Sequence, residues 1–354
     1  MLEITKINNL FQISIKSESN KSQYAIYVNL NGKKISTVWY QDEPNFEITA
    51  IDDGEYTFEV FIKDELGNIT TYISNSYANY KLIEEPETLP AELFEKKSFF
   101  IKKTKDSELH CFFNKGMDES SLFVLLTGAV NKTEPNYYYP KFDRWSWGEK
   151  FPGSILCIAD PTLNFSDDLN LGWYVGSKSK KIDDAIEKLT LEIVKLLYIP
   201  PNRVITYGSS GGGFAAISLA LKLDSIAVAI NPQTNIFQYE KSSVDKFLNT
   251  YFKSQSSTEV EDQDRKRLDL TYAYKFKENN LNIIYVQNSL DTFHYDRHFL
   301  PFSKILKFEK QYGKSEDGKH YLISYTNENG HGPEPEYLFA RIVSKAIEFR
   351  LNKC

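Results

Sequence analysis

One short stretch limits what this chain can become. Arg203-Val204-Ile205-Thr206-Tyr207 is a short apolar run, Gly208-Ser209-Ser210-Gly211-Gly212-Gly213 is glycine-rich, and Phe214-Ala215-Ala216 opens an alanine-rich segment. The order predicts a strand, a sharp turn and a helix. The turn carries Gly208-x-Ser210-x-Gly212. A serine that attacks a carbonyl must stand clear of its sheet on a tight turn, and the close approach of strand and helix leaves no room for neighbouring side chains. The first helical N–H, from Gly211, can then point at a developing oxyanion. A nucleotide-binding loop would place Lys before Ser or Thr after the glycines, and none follows here.

The rest of the composition sets the frame. A length of 354 residues suggests about two domains. Hydrophobic residues make up 41% and charged residues 25%, enough for a full core. Forty-two Lys and Arg against 48 Asp and Glu give a net charge of −6, which argues against nucleic acid as a partner. No apolar run reaches spanning length, and Met1-Leu2-Glu3-Ile4-Thr5-Lys6 does not read as a secretory signal. Cys111, Cys157 and Cys354 are odd in number and far apart, as expected of free thiols in a reducing, cytoplasmic setting.

Residues 1–82 read as all-β. Phe11–Ile15, Tyr24–Val28, Thr37–Tyr40, Tyr56–Ile62 and Thr70–Ile73 are short strand-like runs, separated by turn signals at Asn31-Gly32, Asp53-Gly54 and Leu66-Gly67-Asn68. A small sandwich is expected, with a docking or structural role. Residues 83–96 are acidic and proline-bearing, as in a linker. From residue 97 to 354, continuous apolar runs such as Leu122–Leu126, Ile155–Ala159, Ile226–Ile230 and Leu281–Val286 alternate with helical patterns. That alternation predicts a doubly wound α/β sheet, with residues 236–277 as a helical, cap-like insertion.

A serine hydroxyl needs a base, and a histidine base needs an acid. In this architecture the acid and then the histidine follow the serine, each on a loop after a later strand. Of five histidines, His110 precedes the elbow and His320 lies at the wrong end of the final strand. His331, between Gly330 and Gly332 and just past that strand, is the expected base. Asp291, three residues beyond Gln287-Asn288, is the expected acid, with Asp296 its rival. His294-x-Asp296-x-His298 has the spacing of metal ligands on a strand, but it falls on a loop-to-helix segment, so no metal is expected. The loop beginning Thr127-Gly128-Ala129 should supply the second oxyanion donor, with Ala129 the candidate. The aromatic loop of Tyr137, Tyr138, Tyr139, Phe142, Trp145 and Trp147, with Trp173 and Tyr174 beyond it, could pack the loops or stack on sugar rings. Trp145, Trp173 and Tyr174 are the candidates for substrate contact.

The elbow Tyr207–Gly213, Asp291 and Gly330-His331-Gly332, in that order, resemble the α/β-hydrolase superfamily over residues 97–354. The stretch Asp53-Gly54-Glu55-Tyr56-Thr57-Phe58-Glu59-Val60 resembles the late strands of immunoglobulin- or fibronectin-III-like sandwiches. Asp160-Pro161-Thr162 and the run from Gln287-Asn288 through Asp291, His294 and His298 are similar to a bacterial group of accessory-Sec and capsule-locus O-acetyltransferases and esterases. The resemblance implies a Ser210–His331–Asp291 acyl-ester enzyme acting on a bacterial glycan. No cofactor is implied, other than an acetyl donor such as acetyl-CoA if the acyl group is transferred. A peptidase or lipase of the same fold, and a non-catalytic scaffold with the sandwich docking a protein partner, remain the alternatives.

Overall fold

The computed structural model describes residues 2–7, 9–16, 21–134, 137, 139–253, 257–275 and 280–353; Tyr138 and Cys354 fall outside them. The chain divides into two compact units, residues 1–82 with 98–101, and residues 83–97 with 102–354.

The first unit is antiparallel. Strands β1 (Leu2–Ile7), β2 (Leu10–Ile15), β3 (Gln23–Leu30), β4 (Lys33–Gln41), β5 (Asn45–Thr49), β6 (Gly54–Lys63), β7 (Ile69–Ile73) and β8 (Tyr77–Asn79) form two sheets. Their orders are β1-β2-β5 and β4-β3-β6-β7, with β8 also on β6. Period-two alternation turns Phe11, Ile13 and Ile15 of β2 and Phe46 of β5 into one core with Ile26, Val28, Phe58 and Val60 of the other sheet. Asn31 and Gly32 both take positive φ in the β3–β4 turn, as a two-residue hairpin requires. The buried Tyr56 hydroxyl accepts from the N–H groups of Ile51 and Asp52 and donates to the Asp52 carbonyl at 3.0 Å.

The second unit is built on a sheet. Strands β9 (Lys81–Glu84) and β10 (Ser98–Lys103) carry residues of both units, and residues 83–96 are more than connecting chain: Leu89, Leu93 and Phe94 are buried. Then come β11 (Glu108–Asn114), β12 (Asp118–Leu126), β13 (Gly153–Ile158), helix α1 (Ile182–Leu196), β14 (Ile205–Ser209), α2 (Gly211–Leu223) and β15 (Ile226–Ile230). The described residues of 236–253 and 257–275 are largely helical, with α3 (Lys241–Tyr251), α4 (Asp262–Leu268) and α5 (Leu270–Lys275). The chain closes with β16 (Asn282–Asn288), α6 (Thr292–His294), a π turn, α7 (Leu300–Ile305), β17 (Gly313–Lys314), β18 (Tyr321–Tyr325) and α8 (Glu336–Leu351).

The strand order is β17-β18-β16-β15-β14-β12-β13-β11. The six strands from β18 to β13 run parallel, with antiparallel β17 and β11 beyond them. The central strands are apolar on both faces because both are covered. Ala227, Ala229, Ile283 and Tyr285 join a core with Phe214 and Ile217 of α2 and Phe247 and Leu248 of the insertion. Val228, Ile230, Ile284 and Val286 are equally buried on the other face, and α8 packs against β15 and β16. The carboxyl ends of β14, β16 and β18 therefore lie along one edge, where this class of sheet gathers its chemistry.

Candidate active site

β14 ends at Ser209, α2 begins at Gly211, and Ser210 sits between them at φ 56° and ψ −121°. A residue with a side chain reaches that region only at a cost on the order of 1–3 kcal/mol, so the surroundings must impose it. They do so through the backbone. Ser210 N–H donates to the Ile230 carbonyl at 2.9 Å, and the Ser210 carbonyl accepts from Phe214 at 3.1 Å and Gln233 at 3.2 Å. The glycines answer the crowding. A Cβ on Gly208 would lie 2.2 Å from the Gly212 oxygen, and one on Gly212 would lie 2.3 Å from the Leu126 oxygen.

Asp291 follows β16 and caps α6, and it is buried. His331 lies on the loop between β18 and α8, with its side chain 38% exposed. Its Nδ1 is 2.5 Å from Asp291 Oδ2. Two asparagines hold that loop in place. Asn288 donates to the carbonyls of Asn327 (2.8 Å) and Gly330 (2.6 Å) and accepts from Asn327 N–H (2.9 Å). Asn231 donates to the Gly332 carbonyl at 2.9 Å.

Asp291 also binds a second imidazole. His294 Nδ1 is 3.0 Å from Asp291 Oδ1, and the His294 ring stacks on His331 with centroids 3.9 Å apart and planes 9° from parallel. Burial pushes the Asp291 carboxyl up, but the two imidazole hydrogen bonds and their charge outweigh it and hold it well below the usual carboxylate range. Burial lowers His294, with the Asp291 bond opposing. His298, one turn on, accepts from Thr234 N–H at Nδ1 and is pushed down to about 3, chiefly by burial. The His294-x-Asp296-x-His298 spacing thus places His294 on the acid and His298 in the packing.

Ser210 Oγ meets Gln233 Nε2 at 2.9 Å. Among the described residues no hydrogen bond joins Ser210 to His331. The nucleophile–base contact in such sites is commonly long before substrate arrives and tightens afterwards.

The oxyanion candidates lie beside this turn. Gly211 N–H is the first of α2. In the 127–130 segment, Thr127 N–H donates to the Tyr174 hydroxyl (2.7 Å), Gly128 N–H to Asp143 (3.2 Å) and Val130 N–H to the Asn170 carbonyl (2.8 Å). Among the described residues Ala129 N–H has no such acceptor, and Ala129 is exposed. Three of the four amides of this segment are thus paired within the protein.

The aromatic candidates come out differently. Trp173 and Tyr174 are 1% and 3% exposed, so neither presents a face to a sugar. Both take positive φ, 52° and 60°. Trp173 packs edge-on to Phe247 in the core and donates from Nε1 to Gln233 Oε1 at 2.6 Å. Tyr174 donates to the Ile158 carbonyl at 2.7 Å while holding Thr127. Their place is under the site, as support. Trp145 is half-buried, 5.6 Å edge-on to Phe112, with Lys97 Nζ 5.2 Å from its ring, and no described contact joins it to Ser210, Asp291 or His331.

Sequence reading missed Gln233, His294 as a partner of Asp291, and a buried ion pair. Arg144 Nε lies 2.9 Å from Glu334 Oε1 and its Nη2 2.5 Å from Oε2, with another hydrogen bond of 3.3 Å to Ser209 Oγ. Tyr207 OH donates to Glu334 Oε1 at 2.6 Å. Burial works against the Arg144 charge, and the adjacent Glu334 outweighs it and keeps the guanidinium protonated. Glu334, three residues past His331, is thereby tied to the elbow strand. His294 stands only three residues after Asp291, the separation of one helical turn, and that spacing was the one local signal for any of these partners.

This is the α/β-hydrolase fold, with an antiparallel β unit ahead of it. No family model matches the sequence, and no curated protein matches it. Among solved structures, the chain is similar to the Glycosylation Associate Protein (Gap123) complex from Streptococcus agalactiae, at 11% identity and TM-score 0.51, covering 100% of this chain and 71% of that one. It is also similar to a Bacteroides ovatus protein assigned as a dipeptidyl aminopeptidase IV, at 13% identity and TM-score 0.53, covering 99% of this chain and 50% of that one. A capsule O-acetyltransferase of Neisseria meningitidis serogroup A aligns at 15% identity and TM-score 0.48, over 69% of this chain and 92% of that one. None of the described helices is long and apolar enough to cross a membrane.

Proposed function

We propose that this chain is a serine acyl-ester enzyme, an O-acetyl esterase or O-acetyltransferase acting on a saccharide, with Ser210 as nucleophile, His331 as base and Asp291 as acid. The observation that carries the reading is the Asp291–His331 pair at 2.5 Å, on loops after β16 and β18, beside a strained serine turn after β14. The bond at Nδ1 leaves the Nε2 of His331 as the proton acceptor, and the ionised Asp291 supports the imidazolium that forms. Gly211 and Ala129 N–H groups hold the oxyanion. Water as second acceptor gives hydrolysis; a sugar hydroxyl gives transfer, from a donor such as acetyl-CoA or another acyl ester. The saccharide part of the reading is supported by the solved neighbour described as a glycosylation-associated complex, which also suggests a protein partner. The Tyr56 hydroxyl bonded to backbone four residues upstream supports an immunoglobulin- or fibronectin-III-like sandwich as the module that meets it. The buried free thiols of Cys111 and Cys157 fit a cytoplasmic setting.

The test is p-nitrophenyl acetate turnover by wild type and Ser210→Ala, with and without saccharide acceptors, products read by mass spectrometry. We expect Ser210→Ala to lose about 10⁴-fold or more. Acetylated sugar selects transferase, and acetate alone selects esterase. Equal turnover by both proteins would return the chain to the non-catalytic scaffold reading, and cleavage of peptide amides in preference to sugar esters would select a peptidase.

A further inference from the structure

Resting on the serine-nucleophile reading above, we propose that Gln233 is a further catalytic residue: its carboxamide N–H holds the Ser210 oxygen and stabilises the charge that oxygen carries in both halves of the reaction, with Trp173 and His294 as its positioning residues.

The orientation of the carboxamide follows from chemistry. Trp173 Nε1 can only donate, and it lies 2.6 Å from one end of the Gln233 side chain, so that end is the oxygen. The nitrogen end then faces Ser210 Oγ at 2.9 Å and His294 Nε2 at 3.3 Å. An amide nitrogen has two hydrogens and no acceptor site, so it donates to both. His294 must therefore accept at Nε2 and carry its proton on Nδ1, which is the nitrogen facing Asp291 Oδ1 at 3.0 Å. Each assignment is consistent with the next, from the indole through the carboxamide and imidazole to the carboxylate. Gln233 is fully buried, so the amide has no water to turn toward.

The consequence for Ser210 is directional. The Gln233 N–H occupies a lone pair on Oγ, and the Gln233 oxygen is turned away. The serine cannot donate to Gln233, so its own hydrogen is left for His331. In acylation that proton passes to His331 Nε2 as the bond from Oγ to the acyl carbon forms, and the departing group takes it as its bond to the acyl carbon breaks, leaving as an alcohol from an ester or as a thiol from a thioester. In the second half, water or a sugar hydroxyl gives a proton to His331 as it attacks, the carbon–Oγ bond breaks, and the proton returns to Oγ. The Ser210 oxygen carries negative charge at both points, and a fixed, dry N–H donor there needs no reorganisation.

The test uses the full chain and two readouts: the second-order rate of Ser210 labelling by a fluorophosphonate, and the pH profile of p-nitrophenyl acetate turnover. Gln233→Leu keeps the bulk and removes the donor; we expect labelling about 10²-fold slower. Trp173→Phe leaves the carboxamide free to turn; we expect about a tenfold loss. The double variant should be no slower than Gln233→Leu, because both act through one contact. Gln233→Glu separates chemistry from packing. Its carboxyl can donate only when protonated, so its rate should fall as pH rises through that titration, whereas the wild-type rate rises with deprotonation of its base. Wild-type labelling rates in a folded Gln233→Leu protein, multiplying effects in the double variant, or a Gln233→Glu profile parallel to wild type would each overturn the role of Gln233 alone. A wild type that is never labelled at Ser210 would remove the serine-nucleophile reading and this proposal with it.

Discussion

Asp291 holds two imidazoles with one carboxylate, and those contacts set its charge state. Its carboxyl titrates below its unfolded value, because the two ring N–H bonds outweigh burial. The unfolded chain therefore binds more protons in that range, and the stability Asp291 contributes is complete above about pH 4 and lost as pH falls through the folded value. Asp291→Asn should flatten the acid side of a stability-against-pH curve measured by chemical denaturation. A variant with the same acid slope as wild type would show that the bonds to His294 and His331 do not stabilise the charged form.

At the scale of the element, the strand–turn–helix around Ser210 is defined by contacts between backbones. Gly212→Ala puts a methyl carbon 2.3 Å from the Leu126 oxygen, with no flexible side chain there to give way. We expect a loss of roughly 3 kcal/mol in denaturant unfolding. Gly332→Ala, where a Cβ meets nothing within 4 Å, should change stability by no more than about 0.5 kcal/mol. This element was legible in the sequence because its causes are local: apolar run, glycine spacing and alanine-rich helix all fall within fourteen residues of chain. Asp291 was placed from strand order, His331 from strand order and its flanking glycines, and the structure brings the two side chains together. What local pattern did not show is which polar side chains meet across the sheet. Gln233 lies 23 residues from Ser210 and 60 from Trp173 in the chain, yet touches both. Trp173 and Tyr174 sit in a stretch, Leu171–Gly176, that reads equally as a binding face or as packing, and only the fold shows that both rings are buried.

For the second unit as a whole, the Arg144–Glu334 pair joins segments 190 residues apart, and both side chains are buried. Breaking such a pair leaves an uncompensated charge in a dry interior. Arg144→Met should cost roughly 3–5 kcal/mol of stability, and Arg144→Met with Glu334→Leu should cost less than the single change, read by thermal or denaturant unfolding. If the double variant is the less stable of the two, the pair is a net source of stability in its own right. The sequence shifts from alternating strands to long apolar ones near residue 97, while the compact units divide at residues 82–83, 97–98 and 101–102. The two differ because β9 and β10 each carry residues of both units.

The left-handed pair at Trp173 and Tyr174 bears on transplantation. One turn sends the indole to the Gln233 carboxamide and the phenol to the Thr127 N–H. Grafting the proposed triad of Ser210, Asp291 and His331 onto another α/β scaffold would move three side chains without the piece that sets their surroundings. The portable unit of this site includes Leu171–Val175 as a jig, and a recipient lacking it would receive the chemistry without its alignment.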